Sequence, residues 1–308
     1  MRILVVASYN KGYYAPFIIE QAKAIEDKGH KVVFFGIQGK GFLGYMFNYF
    51  KLKKVIKTFS PQIIHAHYGL SGLLANLQRK IPVVTTFHGS DINNKKVLPF
   101  SKIAMKFSAI SLFVSQKNID IASPKDCLYQ LLPCGVNTEN FTQVEKDYAK
   151  SRLKLDNFKN YVLFAGSFMN EVKNPTLAKK AIQLLHNVEL IELKGYTREE
   201  VNFLMNAVDA VLMTSFTEGS PQFIKEALVC GCPVVSVDVG DVKDVIFNID
   251  GCYIAERDEK DIANKLEQAF SFKGKTEGRK RIVKLGLTNE IVAEKLEQIY
   301  QDILIKSM

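Results

Sequence analysis

The sequence predicts an α/β protein built of two doubly wound, parallel-sheet halves in tandem, facing a cleft. Three observations predict it. Short apolar runs at 2–8, 31–35, 82–87, 161–166, 210–214 and 233–237 alternate with segments of helical spacing, the rhythm of βαβ units whose strands are covered on both faces. The polar segment Thr138–Asn160 breaks that rhythm, and Tyr161-Val162-Leu163-Phe164-Ala165-Gly166 restarts it as a strand entering a turn. A chain of 308 residues also defaults to two domains of about 150 residues. The halves are read as 1–150 and 151–288, with a terminal amphipathic helix, 289–308, packing back on the first.

Taken in order, strand 2–8 leads through Tyr9-Asn10-Lys11-Gly12-Tyr13 into a helix from Pro16 to Asp27 (Phe17, Ile18, Ala22, Ile25), closed by Gly29. Strand 31–35 follows, then a basic aromatic helix. Pro61–His67 reads as a strand presenting His67 and Tyr68, and Leu70–Arg79 as a helix. Strand 82–87 ends on His88-Gly89-Ser90-Asp91; strand 111–115 and a short one before Pro133 complete the first half. In the second half the spacing predicts helices over 175–186, 198–207, 258–270 and 289–305, and strands over 188–193 and 210–214.

Composition bounds the class. Hydrophobic content of 47% and charged content of 24% describe an ordinary globular protein. No run of 18 apolar residues is present, and the apolar start is too short for a secretory signal, so a cytoplasmic protein is expected. Five cysteines without a framework read as reduced thiols. The net charge of +9 calls for an anionic partner or location. Its most concentrated stretch, 40–57, interleaves Lys51, Lys53, Lys54 and Lys57 with Phe42, Leu43, Tyr45, Met46, Phe47, Tyr49 and Phe50. That is the pattern of a helix lying on an anionic membrane surface, and also of a core-packing helix with a lysine face. No nucleic-acid-binding pattern accompanies it.

The most informative stretch is Thr214–Glu226. The apolar strand 210–213 runs into a polar turn carrying Glu218, and Ser220 and Pro221 read as N-cap and first residue of a helix. Gly231 and Pro233 stop that helix before a further strand. Ligands of open parallel sheets sit beyond the carboxyl ends of the strands, where helix N-termini favour anions. Two acids there, Glu218 and Glu226, suit a ligand with both hydroxyls and phosphates. By themselves they read equally as a loop acid and a solvated helix residue. Neither a G-x-G-x-x-G after a first strand nor a Walker A pattern occurs.

The block Thr214–Pro221, with Glu226-Ala227-Leu228-Val229-Cys230-Gly231-Cys232-Pro233-Val234-Val235 and Asp238-Val239-Gly240, resembles the signature of family 4 retaining nucleotide-sugar glycosyltransferases (glycosyl transferases group 1). Weaker matches occur in the same order: Gly29-His30, His65-Ala66-His67-Tyr68-Gly69, Phe87-His88-Gly89, Pro133–Asn137, and Gly166 with Lys173-Asn174. The resemblance implies the GT-B fold, two Rossmann-like domains, the first on the acceptor side and the second binding the donor. It implies that Glu226 binds ribose hydroxyls and that Glu218 lies at the donor sugar. Backbone groups around Gly219, Ser220, Pro221 and Phe223 would address sugar and diphosphate, with Gly166 and Ser167 in the same donor site. Lys173 would neutralise the departing diphosphate, Gly12 would admit the phosphates to the first loop, and His88 would contact the transferred sugar. His67 and Tyr68 are acceptor-side candidates.

Two departures stand out: Ser167 occupies the position of an arginine usual in the family, and Gly12 is preceded by Lys11 instead of a second glycine, a candidate replacement cation. No metal or other cofactor is expected, since no Asp-x-Asp motif is present. His65, His186, Asp91 and Asp238 read as structural. The expected activity is transfer of a sugar from a nucleotide-diphosphate donor to a hydroxyl acceptor, a glycan or lipid-linked glycan, in surface polysaccharide or glycolipid synthesis. The alternatives are a non-catalytic nucleotide-sugar-binding pseudoenzyme and a GT-B nucleotide-sugar epimerase.

Overall fold

The computed structural model describes residues 1–39 and 41–307, with side chains described at all of these except 41–43, 45, 46 and 307. The readings made on Lys40, Phe42, Leu43, Tyr45 and Met46 therefore lie outside the described residues. The chain divides into two compact units, Met1–Gly135 with Asn289–Met308, and Val136–Thr288.

Unit 1 contains β1 (Arg2–Ser8), α1 (Pro16–Glu26), β2 (Lys31–Ile37), α2 (Gly41–Phe59), β3 (Ile63–His67), α3 (Gly69–Asn76), β4 (Val83–Phe87), α4 (Ser90–Asn93), α5 (Leu98–Phe107), β5 (Ile110–Phe113), α6 (Gln116–Ala122) and β6 (Tyr129–Leu131). Its sheet is parallel, in the order β2-β1-β3-β4-β5-β6. The continuous apolarity of β1 has a simple cause. Ile3, Val5 and Ala7 pack toward α1 on one face, while Leu4 and Val6 pack against Leu52 of α2 and Leu74 of α3 on the other, so alternation has no solvent side to mark.

Unit 2 contains α7 (Lys146–Leu153), β7 (Asn160–Phe164), α8 (Pro175–Gln183), β8 (Val188–Glu192), α9 (Arg198–Ala207), β9 (Ala210–Met213), α10 (Gln222–Val229), β10 (Val234–Val237), α11 (Val242–Ile246), β11 (Cys252–Ala255), α12 (Glu259–Ser271) and α13 (Gly278–Lys284). Its five strands are parallel in the order β11-β10-β9-β7-β8. Again the central strands serve two cores: Leu163 and Val211 face α9 and α10, whereas Val162 and Leu212 face α8 and α12.

The chain then returns to unit 1 through α14 (Asn289–Ser307). Val292, Ala293, Leu296, Ile299 and Tyr300 are buried along one stripe in the core shared with α1 and β1, the spacing of an amphipathic helix. Polar contacts at its edge, His30 Nε2 to Glu297 Oε1 at 2.9 Å and Lys28 Nζ to Glu294 Oε1 at 3.5 Å, fix its register.

The polar segment 138–160 is not an open linker. It holds α7, and residues 136–150, grouped above with the first half, belong to unit 2. Two helix asparagines account for this. Asn202 Oδ1 accepts the Thr142 N–H, and Asn206 Oδ1 accepts the Val144 N–H at 2.8 Å while its Nδ2 donates to the Thr142 carbonyl. Arg279 donates to the carbonyls of Thr138 and Phe141. Side chains therefore satisfy backbone groups that the segment's weak apolar pattern leaves without a sheet or helix partner.

Candidate functional site

Both sheets reverse their winding at one place, between β1 and β3 in unit 1 and between β7 and β9 in unit 2. Such switch points open a crevice at the carboxyl ends of the strands. The candidate residues follow those very strands: Gly12 after β1, His67 and Tyr68 at β3, Gly166 to Lys173 after β7, and Glu218 after β9.

In unit 2 the turn after β7 and the exit of β9 are stitched together. Thr214 Oγ1 donates to the carbonyls of Lys173 and Asn174, each at 2.9 Å, and the Phe216 N–H donates to the Val172 carbonyl at 2.9 Å. Lys173 Nζ thereby reaches Glu218 Oε1 at 2.6 Å. Gly166 has φ +146°, and a Cβ there would press on the Lys173 side chain at 3.2 Å, so glycine lets the lysine cross over the strand end. Ser167, where an arginine is usual, donates its hydroxyl to Glu192 Oε1 at 2.8 Å and supplies no charge.

The start of α10 differs from the capping pattern expected. Pro221, not Ser220, occupies the N-cap, and no side chain caps the helix. Ser220 Oγ instead donates to Asp241 Oδ2 at 2.5 Å and accepts from Lys225 Nζ at 2.6 Å. Lys225 is fully buried, and its ammonium lies 3.9 Å from Asp241. Burial pushes the Asp241 carboxyl up, while Lys225 and the Ser220 hydroxyl pull it down. A Cβ at Gly240 would collide with the Gly219 carbonyl oxygen. The Glu218–Pro221 loop is thus clasped to the loop after β10 by one ionic group and one backbone contact. A long-range pair of charges has outcompeted a local cap.

Glu226 is buried at 6% exposure and bonded by Arg198 Nη1 at 2.8 Å. Arg198 stands at the first turn of α9, behind a capping box of Thr197 and Glu200, with its guanidinium 4.5 Å from the Phe141 ring centroid. Sequence reasoning missed Arg198; the Thr-x-x-Glu box was its only local signal. The Phe223 side chain is in the core, leaving its backbone as the part available to a ligand.

In unit 1 the strand ends carry a column of imidazoles. His65 and His67 stack at 4.4 Å and His67 and His88 at 5.2 Å between centroids. His67 Nδ1 and His88 Nε2 share a hydrogen bond of 3.0 Å, and Cys134 Sγ lies 3.6 Å from His88 Nδ1. His65 is spanned by the Tyr300 hydroxyl at 2.6 Å and Thr86 Oγ1 at 2.7 Å. Burial pushes His65 down to about 3; burial, reinforced by the neighbouring rings, also holds His67 and His88 below the ordinary range. All three are neutral near pH 7. His88 alone of the three is partly exposed, flanked by Tyr68 and Phe17. Both its nitrogens are engaged inside the protein, so a polar contact to a ligand would displace the longer one, to Cys134.

Beneath His88, Asp91 accepts backbone N–H groups from Gly69 at 2.8 Å, His88 at 3.1 Å and Gly89 at 3.0 Å. Desolvation outweighs these bonds and pushes its carboxyl up to about 6. Gly12 has φ +77° and nothing within 4 Å of a prospective Cβ. Lys11 is exposed. No group of three or more His, Cys, Asp or Glu side chains among the described residues is arranged to hold a metal ion.

Comparison with known proteins adds the family. Residues 2–118 match the glycosyl transferase 4-like model and residues 162–271 the glycosyl transferases group 1 model. The chain belongs to the group 1, family 4 glycosyltransferases. A similar curated protein is the putative teichuronic acid biosynthesis glycosyltransferase TuaC of Bacillus subtilis, 26% identical over 215 residues, 60% of this chain and 55% of that one. The chain thus spans little more than half the length of that relative. Among solved structures, sucrose-phosphate synthase of Thermosynechococcus elongatus superposes with a TM-score of 0.85 at 15% identity, covering 99% of this chain and 100% of that one. Anabaena HepE in complex with UDP gives 0.75 at 15% identity, covering 98% and 100%. The fold of this group 1 member is GT-B.

Proposed function

We propose that the protein is a retaining glycosyltransferase that moves a sugar from a nucleotide-diphosphate donor to a hydroxyl of a glycan or lipid-linked acceptor in surface polysaccharide synthesis. The observation that carries this is the Lys173–Glu218 pair, a cation and a carboxylate 2.6 Å apart at the switch point of unit 2. A diphosphate competes for Lys173, which frees Glu218 to accept hydroxyls of the donor sugar. Lys173 then offsets charge growing on the leaving diphosphate, with backbone N–H groups around Gly219, Ser220 and Phe223 assisting. These groups do the neutralising without a metal.

Glu226, oriented by Arg198, takes the ribose hydroxyls. In the transfer the bond from the anomeric carbon to the phosphate oxygen breaks and the bond to the acceptor oxygen forms on the same face. The acceptor proton passes to the leaving phosphate, so no protein nucleophile is needed. Tyr68 and His88 serve the acceptor side and the transferred sugar, while His67, read from the sequence as an acceptor-side residue, is buried and acts behind them through its bond to His88; a neutral imidazole column suits hydroxyls better than phosphates. The nucleotide seen with HepE makes UDP-sugars the first donors to try, and the name of the TuaC relative directs the acceptor reading to a surface polymer. A cytoplasmic enzyme working at the membrane face through 40–57 would meet a lipid-linked acceptor there.

The test is incubation with UDP-hexoses and a lipid-linked acceptor, with product analysis. A glycoside that retains the donor's anomeric configuration and is lost in Glu218→Ala supports the proposal. An isomerised nucleotide sugar would point to an epimerase, and donor binding without turnover to a non-catalytic binder.

A further inference from the structure

The charge of the chain is not evenly spread. Between Asp27 and Asp120 there is one acidic residue, Asp91, and it is buried. The basic residues of that stretch include Lys51, Lys54, Lys95, Lys96, Lys102 and Lys106, all exposed. The stretch itself therefore supplies no exposed acid to pair with these lysines, although Lys28 at its start meets Glu294 of α14.

The helix α5 lies within that stretch and shows an unusual solvent side. It buries Ser101, Ala104 and Met105, and a Cβ at Gly69 of α3 would collide with Ser101, so small residues seat α5 tightly on α3. Facing outward are Phe100, Ile103 and Phe107, exposed by 48%, 44% and 40%. At about 100° per residue these three share one strip, with Lys102 and Lys106 along its border. The strip continues at the end of α3: Leu77 is exposed by 52%, and the Arg79 guanidinium lies 3.7 Å from the Phe107 ring centroid. On the far side of α3, which packs on both helices, α2 exposes Phe47 and Phe50.

Solvent-exposed aromatic and aliphatic side chains in a row, bordered by lysines on a helix that carries no carboxylate, suit an anionic surface with an apolar interior. We infer that α5 and the end of α3 form a docking surface for an anionic lipid bilayer, with Phe100, Ile103 and Phe107 entering the acyl boundary and Lys102, Lys106, Arg79 and Lys80 meeting headgroups. A nucleic acid or acidic protein would use the charges but not the apolar strip. The inference extends the membrane-face reading given above to elements outside 40–57 and needs no acceptor to be tested.

The experiment is sedimentation of the full chain with vesicles of phosphatidylcholine alone or mixed with phosphatidylglycerol. Binding to the mixed vesicles only is expected, weakened about fivefold for each lysine removed in Lys102→Gln/Lys106→Gln. In Phe100→Ser/Ile103→Ser/Phe107→Ser at least a tenfold loss is expected, with the thermal midpoint of both variants near that of the parent. The inference is overturned if the parent does not bind, if it binds neutral vesicles equally, or if either variant binds like the parent. Loss in the lysine variant alone would mark a polyanion contact and overturn the lipid occupant. Donor turnover by the same variants separates the two proposals: vesicle binding without sugar transfer removes the enzymatic reading alone, and transfer without vesicle binding removes this surface alone.

Discussion

At the carboxyl ends of its strands unit 1 stacks three neutral imidazoles, and the loops of unit 2 hold paired charges. Both solve the same problem, the cost of removing an ionisable group from water. Unit 1 does so by discharging it: all three are held neutral, His65 bonded to Tyr300 and Thr86 and stacked on His67, and His67 bonded to His88. Unit 2 keeps the charge and supplies a counter-charge, Lys173 with Glu218, Arg198 with Glu226, and Lys225 with Asp241. Equivalent switch points of one architecture thus carry opposite electrostatics, and under the proposed function they would take different cargo. In that proposal the ionic end exchanges a carboxylate for a phosphate, and the neutral end orders hydroxyls.

The strongest way to break this comparison is to remove the fully buried cation. Lys225→Met strands Asp241 and Ser220, and a loss of about 3–5 kcal/mol is expected in denaturant unfolding. A loss below about 1 kcal/mol would mean that the charges of unit 2 are not what holds its loop. Next in size, Lys173→Ala should lower sugar transfer by about 10²–10³-fold, the effect of losing one preorganised charge at a developing anion, while the thermal midpoint moves little. An unchanged rate would move the diphosphate clamp elsewhere.

Acid should separate the units. A histidine held neutral by folding binds its proton more readily when unfolded. Its contribution is whole above the unfolded value of about 6.5 and is lost as pH falls toward the folded value, about 3 for His65. Each such group gives a slope of about 1.4 kcal/mol per pH unit in that window. Asp91, pushed up to about 6, takes a proton in the folded state over part of the window and offsets about one histidine. Calorimetry between pH 7 and 5 should therefore show the unit 1 transition falling while unit 2 lags. A joint, parallel shift would refute the assignment. The smallest effect is expected of Tyr300→Phe, which leaves His65 Nδ1 without its partner at a cost of about 1–3 kcal/mol, read as a lower thermal midpoint of unit 1 only.

Much of the fold was legible because its strands are short, apolar and buried on both faces, and because β9, its loop, α10 and β10 follow one another without interruption. The Lys173 and Glu218 positions were legible through the resemblance, and the structure brings them together. What was not legible depends on partners far along the chain. Helix α7 buries only Ala149 and Lys150, so no periodicity announces it; Asn202 and Asn206 hold its approach from some 60 positions away. Helix α5 was not predicted although Phe100, Ile103, Ala104 and Phe107 stand at helical spacing, and three of these four prove to face solvent. Ser220 reads as a cap because only local competition is visible in a sequence, and Asp241 lies outside that horizon.

The bond between His65 and Tyr300 also sets an order of events during synthesis. Strand β3 leaves the ribosome long before α14, whose stripe covers one face of the first sheet. Until α14 emerges, that face of the unit 1 sheet has only α1 over it and His65 lacks its hydroxyl partner. Unit 2 needs no such wait: its boundary residues already meet one another, with the Val136 N–H on the Leu287 carbonyl at 2.9 Å. The later-made unit can therefore close its own boundary while the earlier half still lacks α14.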